Sequence, residues 1–237
     1  MNGRTYQQEI AANGFTVIDN VFTDKEVDAL IVLIQQTDSS NATFRKTKDL
    51  FAIRQFLKEV PDAIPAVFMP ALMETINELF GEGYQVVKSI YFDKTGDSNW
   101  FVSYHQDLTI SVKEKADVPE FGPWTVKQQQ YAVQPPLTIL ETNFTIRIHL
   151  DETDEHNGAL RVIPGSHSKG IYRPETIDWS KETEVSCNVR KGGIMIMRPL
   201  LLHASSRTSN NHKRRVIHIE FSNQALPAPL QWSELLQ

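Results

Sequence analysis

His105 and Asp107 stand two residues apart in Ser103-Tyr104-His105-Gln106-Asp107-Leu108. In an extended strand, residues i and i+2 point to one face, roughly 7 Å apart along the chain, so an imidazole and a carboxylate can close on one ion. A His-x-Asp triplet is common in a chain with seven histidines, and the pair needs a third ligand. His203 supplies it: it ends the largely apolar run Met197-Arg198-Pro199-Leu200-Leu201-Leu202, before the small residues Ala204, Ser205 and Ser206, as a buried strand delivers a ligand at its end. Two imidazoles and one carboxylate form a facial set that leaves positions open on ferrous iron for a co-substrate and dioxygen. The same set also suits zinc. Eleven residues after His203 comes Arg214. It opens a segment that puts Ile217, Ile219 and Phe221 on one face and Arg214, Val216, His218 and Glu220 on the other. With the polar face interior, Arg214 is a fixed bidentate fork for a carboxylate and suits a dicarboxylate co-substrate.

Ligands of this kind need a rigid frame, and the spacing of apolar residues supplies strands for one. Residues 84–92, 100–105, 159–163, 184–189, 193–197 and 214–221 read as strands, with turn formers at 93–97 and Gly192-Gly193. The clearest alternation is 142–150: Asn143, Thr145, Arg147 and His149 on one face, Phe144, Ile146, Ile148 and Leu150 on the other. A small barrel holding a polar ligand turns such a polar face inward, where each member needs a partner, and inward is the reading taken. Asp151, Asp154, Glu155 and His156 read as a solvated hairpin tip, not a second metal site, with Asn157-Gly158 making the reversal. Pro164-Gly165-Ser166-His167 lacks the Gly-x-Ser-x-Gly elbow of a serine hydrolase.

Upstream, residues 15–19 alternate as a short strand, and Thr23-Asp24-Lys25-Glu26 is a capping box that predicts a helix to Gln36 with Val27, Leu30, Ile31 and Ile34 as its core stripe. Ser39-Ser40-Asn41 reads as a loop and 51–57 as a helical turn. A second helix is expected over 65–80, closed by Gly81. The long stretch 108–141, with Phe121, Trp124, Tyr131 and Pro135-Pro136, reads as a lid, and the tail after Ser222 as a closing strap. About eight mostly antiparallel strands with helices at the N-terminal end suit a double-sheet jelly roll.

A chain of 237 residues, 41% hydrophobic, buries about 70–75% of its unfolded surface without crosslinks, so one domain is expected. A formal net charge of −5, with only the short basic cluster Lys213-Arg214-Arg215, argues against nucleic acid as a partner. The single cysteine, Cys187, excludes an internal disulfide and fits a reducing compartment, with cytoplasm as the default location. The sequence has no apolar leader and no stretch of 18 apolar residues, so neither export nor a membrane span is expected.

With these residues in place, the chain resembles the phytanoyl-CoA dioxygenase family of iron(II)- and 2-oxoglutarate-dependent oxygenases. The resemblance rests on Phe92-Asp93-Lys94, His105-Gln106-Asp107, Asn157-Gly158-Ala159-Leu160-Arg161-Val162-Ile163-Pro164-Gly165-Ser166-His167, His203 and Arg214, and spans nearly the whole chain. It implies a mainly β protein with flanking helices: a double-stranded β-helix (jelly-roll, cupin-like) core over about 84–222, braced by a helical N-terminal part over about 1–82. It also implies Fe(II) on His105, Asp107 and His203, with 2-oxoglutarate and dioxygen as co-substrates. The far carboxylate of 2-oxoglutarate would meet Arg214, helped by Ser205, and the products would be succinate, carbon dioxide and an oxidised small molecule. Because family halogenases lack the carboxylate ligand, the retained Asp107 favours hydroxylation. Arg147 is a departure, standing where many members carry an aromatic residue beside 2-oxoglutarate. It is read as holding a carboxylate of the co-substrate or of the prime substrate, or as pairing with Glu141 or Asp151. Trp124 and His149 are the residues expected to meet the substrate. Two rival readings remain at this point, a non-oxygenase cupin-like binding barrel and a zinc-dependent hydrolase. Neither needs a carboxylate clamp at Arg214.

Overall fold

The segments of period two pair into antiparallel sheets, and the apolar half of their alternation decides where the helices lie. The computed structural model describes residues 5–38, 40–41, 43–46, 51–94, 101–127, 130–210 and 212–236. The chain opens with α1 (Tyr6–Asn13), β1 (Phe15–Ile18) and α2 (Asp24–Gln36), followed by β2 (Phe44–Lys46), β3 (Phe51–Arg54), α3 (Phe56–Glu59), α4 (Ile64–Val67) and α5 (Pro70–Phe80). Then come β4 (Gln85–Lys94), β5 (Val102–His105), β6 (Ile110–Val112), β7 (Trp124–Lys127), β8 (Gln130–Val133), α6 (Leu137–Thr142) and β9 (Phe144–His149). The last strands are β10 (Leu160–Val162), β11 (Val185–Cys187), β12 (Ile194–Met197), β13 (His203–Ser205) and β14 (Arg214–Ser222). A large sheet runs β1-β12-β9-β14-β4-β3-β2, a second β11-β10-β13-β5 and a third β6-β8-β7.

Alternation along β9, β12 and β14 builds two compartments. Phe144, Ile146, Ile148, Ile194, Ile196, Ile217, Ile219 and Phe221 pack with Val27, Leu30 and Ile34 of α2 and Leu72 and Ile76 of α5. Each such side chain removed from water contributes about 1.5–3 kcal/mol, so this face fixes the large sheet. The opposite face of β9 and β14 is turned toward the second sheet, and its polar residues Thr145, Arg147, His149, Arg214, His218 and Glu220 are all buried. The inward reading of 142–150 therefore holds, although Thr142 belongs to α6 and the strand starts at Phe144. This is the jelly-roll arrangement, with the cavity between the sheets.

The capping box at Thr23 forms as the sequence requires: Thr23 Oγ1 accepts the Glu26 amide and the Glu26 carboxylate accepts the Thr23 amide at 2.7 Å. Elsewhere the structure corrects the sequence reading. The helix expected over 65–80 is two helices, because Pro70 begins α5 at its first position, where a missing N–H costs nothing, and Phe68 leaves helical geometry. Residues 51–54 form β3, not a helical turn, and the turn comes later as α3. The strands number fourteen among the described residues, not about eight, since β1, β2 and β3 of the N-terminal part join the large sheet and 108–141 forms a sheet of its own. That third sheet packs Ile110, Val112 and Val133 against Val87 and Trp232, so the tail does act as a strap. Ser39, Trp100 and most of the turn expected at 93–97 lie outside the described residues.

Gly192, just before β12, has φ +77°, and a Cβ there would lie 2.3 Å from the Phe22 carbonyl oxygen. Gly192→Ala is expected to lower unfolding free energy by at least about 1–2 kcal/mol from the left-handed backbone alone. Chemical denaturation measures it; a change under 0.5 kcal/mol would disprove this role for the close approach.

Candidate metal and co-substrate site

β13 pairs with β5 in a register that sets His203 opposite His105, and the two imidazole centroids lie 4.2 Å apart. Each ring is oriented by its own backbone: Nδ1 of His105 meets the Ser103 carbonyl and Nδ1 of His203 the Leu201 carbonyl, both at 2.8 Å. A carbonyl only accepts, so the proton sits on Nδ1 and Nε2 carries the lone pair a metal needs. Asp107 lies 3.9 Å from His203 Nε2, and its Oδ2, buried, accepts no hydrogen bond from the described residues. The three side chains can each offer one ligand atom within 4.8 Å of the others. An orphaned carboxylate oxygen facing two imidazole lone pairs fits a divalent cation.

Electrostatics keep the set ready. Burial pushes the His203 imidazole down, to about 4, so it is neutral at ordinary pH. Burial alone would push the Asp107 carboxyl up, but His203, His218, Lys88 and His105 outweigh it and leave it at about 2, ionised. Gln106 and Asp107 lie just past the end of β5, and Gln106 serves there as an anchor. Its amide nitrogen donates to the carbonyls of Gly170 and Leu200 at 2.9 and 2.6 Å, and its oxygen accepts the Tyr172 amide at 2.9 Å. The Asp107 amide donates to Pro199 at 2.9 Å. Sequence reading passed over Gln106; its place between two ligands was its only signal.

The ligands open into a cavity of about 230 Å³ between the sheets, which Arg147, Arg214, Ser205 and Lys94 also line. Arg214 lies over Gly158, where a Cβ would meet its guanidinium nitrogen at 3.3 Å and the Ser206 carbonyl at 2.9 Å, so the Asn157-Gly158 turn also makes room for that guanidinium. Lys94 donates to Ser205 Oγ at 3.3 Å. Burial first, then Arg214 and Arg147, push the Lys94 amine down to about 6, and burial and Arg147 push Arg214 down to about 9. Two guanidinium groups and the Lys94 amine thus crowd one part of the cavity, and an anion between them relieves the repulsion.

Arg147 pairs with neither Glu141 nor Asp151. Its Nη1 donates to His218 Nδ1 at 3.1 Å, while Asp151 is held by Arg215 at 2.6 Å. His218 Nε2 then carries the proton and donates to Glu220 at 3.2 Å, and Glu220 also accepts from Lys88 at 2.6 Å. Asp107, His218 and Glu220 approach one another closely enough for a second ion, but both nitrogens of His218 are used and Glu220 is bound to a cation, so this cluster is a hydrogen-bonded chain. His149 is buried beside the cation cluster, its Nδ1 on Thr153 at 3.0 Å and its Nε2 without a partner among the described residues. Neither it nor Trp124 is among the residues lining the cavity; Trp124 packs in the third-sheet cluster. The acidic tip is structural, with Asp154 accepting the amides of His156 and Asn157.

Solved structures share this architecture. EctD from S. alaskensis in its apo form is 16% identical, with TM-score 0.69 over 91% of this chain and 75% of that one. HygX from Streptomyces hygroscopicus, solved with nickel and 2-oxoglutarate bound, is 14% identical, with TM-score 0.62 over 90% of this chain and 84% of that one. The α-ketoglutarate-dependent carbocyclase SnoK from nogalamycin biosynthesis is 14% identical, with TM-score 0.66 over 92% and 82%. No curated protein matches the sequence. The profile of the phytanoyl-CoA dioxygenase (PhyH) family matches residues 10–216, a span that includes His105, Asp107, His203 and Arg214, and the chain belongs to that family.

Proposed function

We propose that this protein is an Fe(II)- and 2-oxoglutarate-dependent dioxygenase, acting as one domain, that hydroxylates a small organic substrate with release of succinate and carbon dioxide. One observation carries the reading: a two-histidine, one-carboxylate set and a buried cluster of Arg214, Lys94 and Arg147 line the same cavity. His105, Asp107 and His203 would hold ferrous iron, and Arg214 the far carboxylate of 2-oxoglutarate, with Lys94 and Ser205 beside it. The cofactor and co-substrate, when bound, supply dioxygen activation. The chain's own task is to fix three ligands on one side of the ion, orient the co-acid and keep bulk water out. Asp107 fills the ligand position a halide would need, which supports hydroxylation. A zinc hydrolase or a simple binding barrel has no use for Arg147, Arg214 and Lys94 buried in the cavity that the metal set opens into.

Anaerobic titration with ferrous iron and 2-oxoglutarate should give the weak visible charge-transfer band of a chelated keto acid, absent in His203→Ala and weakened in Arg214→Ala. No band, with zinc bound in its place, would sink the proposal. His105→Ala and Asp107→Ala should each abolish iron-dependent turnover with the fold retained by circular dichroism; turnover at the parental rate in either removes the triad from the account. Arg214→Ala should raise KM for 2-oxoglutarate by about 10–100-fold, the loss of one charge-assisted pair, and leave KM for the prime substrate within about twofold. Equal effects on both would move the clamp elsewhere.

Lys94 adds a pH dependence. At about 6 its amine is largely neutral at pH 8 without ligand, and an adjacent carboxylate raises it, so binding takes up a proton. Affinity for 2-oxoglutarate should therefore rise as pH falls from 9 toward 6. Calorimetry at pH 8 in buffers of different ionisation enthalpy should show uptake approaching one proton, lost in Lys94→Met; uptake persisting in that variant would assign the proton to another group.

A further inference from the structure

Lys88 and Ile90, on β4, line both the cavity between the sheets and an adjoining cleft of about 220 Å³. Arg54 at the end of β3, Lys58 of α3 and Lys113 just after β6 complete a cationic wall there, and Glu234 of the tail is the one carboxylate among the lining residues. With Lys88 set against its partner Glu220, Arg54, Lys58 and Lys113 leave three cations to one acid in a chain of formal net charge −5. Glu234 accepts the Ser89 amide at 2.9 Å and the Ser89 hydroxyl at 2.5 Å, neutral donors that leave its charge bearing on Lys58, while burial pushes its carboxyl up toward the neutral form. Lys58 donates to the Ser233 carbonyl and Lys113 to the Gln231 amide oxygen at 2.9 Å, neutral acceptors that satisfy a donor and leave its charge in place. Arg54 reaches the Gln130 amide oxygen at 3.5 Å. Lys88, paired with Glu220, stands at the junction, close enough to Asp107 for its charge to bear on that carboxylate.

We propose that this cleft is the subsite for an anionic group, a phosphate or a carboxylate, of the prime substrate, gripped by Arg54, Lys58 and Lys113 while the carbon to be oxidised lies beyond Lys88 at the metal set. The inference deepens the oxygenase reading and rests on it. Summed positive charge in a concave site raises the local concentration of anions, and an arginine fork adds geometry to that attraction. Arg214 and Lys94 line the metal cavity and not the cleft, so this anion site is separate from the co-acid's. Binding energy collected on a charged group away from the reacting carbon is what positions that carbon.

The test uses protein loaded with substoichiometric Mn(II) and saturated with 2-oxoglutarate, which occupies the Arg214 end. Inorganic phosphate is followed by ³¹P relaxation and acetate, in a parallel arm, by ¹H relaxation. A saturable paramagnetic enhancement is expected for one or both probes, phosphate alone marking a phosphorylated substrate and acetate alone a carboxylic acid. The double variant Arg54→Gln/Lys113→Gln should weaken it about fivefold or more, and Lys113→Gln alone, at an exposed residue, should act in the same direction. No saturable enhancement, or the parental affinity in the double variant, overturns the subsite. Electron paramagnetic resonance of Mn(II) in the same samples reports ion and 2-oxoglutarate binding; a protein that takes up neither fails at the oxygenase reading itself.

Discussion

The antiparallel register that places His203 opposite His105 is the constraint on which the site depends. A slip of one residue in β13 would carry its imidazole to the opposite face of the sheet. That register is held from both sides: β10 pairs with β13 across Leu160 and Ser205, and Gln106 ties β5 to the loops at Gly170 and Leu200. Because Nδ1 of each ligand histidine bonds a carbonyl two residues back in its own chain, the strand that sets a ring's position also sets its tautomer. Geometry and protonation of the metal set therefore come from one local source.

A polar interior on this scale is tolerated because the other face of the same strands is so apolar. β9 and β14 give Phe144, Ile146, Ile148, Ile217, Ile219 and Phe221 to the helical layer and Arg147, Arg214, His218 and Glu220 to the cavity. Transfer free energy on the first face outweighs desolvation on the second, provided each buried charge has a partner. Lys88 and Glu220 meet that condition as an ion pair, which hydrogen bonds extend through His218 to Arg147, and removing either charge of the pair costs about 3–5 kcal/mol by stranding the other; Arg147 and Arg214 have no carboxylate partner among the described residues.

Period two was enough to read the inner and outer faces of β9 and β14, and the His-x-Asp pair, His203 and Arg214 were legible as a set because strand alternation constrains them one by one. The contribution of Lys94, Gln106 and Lys88 was not legible, since a lysine or glutamine in a strand has the same local pattern whether it faces solvent or a cavity; only the facing sheet decides. The 108–141 sheet was hidden for a related reason. Its strands are three or four residues long, too short for alternation to register, and they are stabilised by Val87 and Trp232, distant in sequence. Pro70 misled differently: a proline reads equally as the first residue of one helix or a kink within another, and the geometry of Phe68 settles it.

Arg147 explains why an aromatic residue would not serve at its position in this chain. A ring there could pack beside a co-acid, but it could not donate to His218 Nδ1, and that donation keeps the His218 proton on Nε2, facing Glu220. Glu220 in turn holds Lys88 at the junction with the cationic cleft. The same guanidinium also depresses Lys94 and Arg214 by its charge. One side chain thus touches the electrostatics of both ends of the cavity: an anion arriving among Lys94, Arg147 and Arg214 draws on the charge that organises His218, Glu220 and Lys88. Under the proposed function, a ligand bound among Lys94, Arg147 and Arg214 would be coupled to the hydrogen-bond chain through Arg147, which lines the cavity and donates to His218.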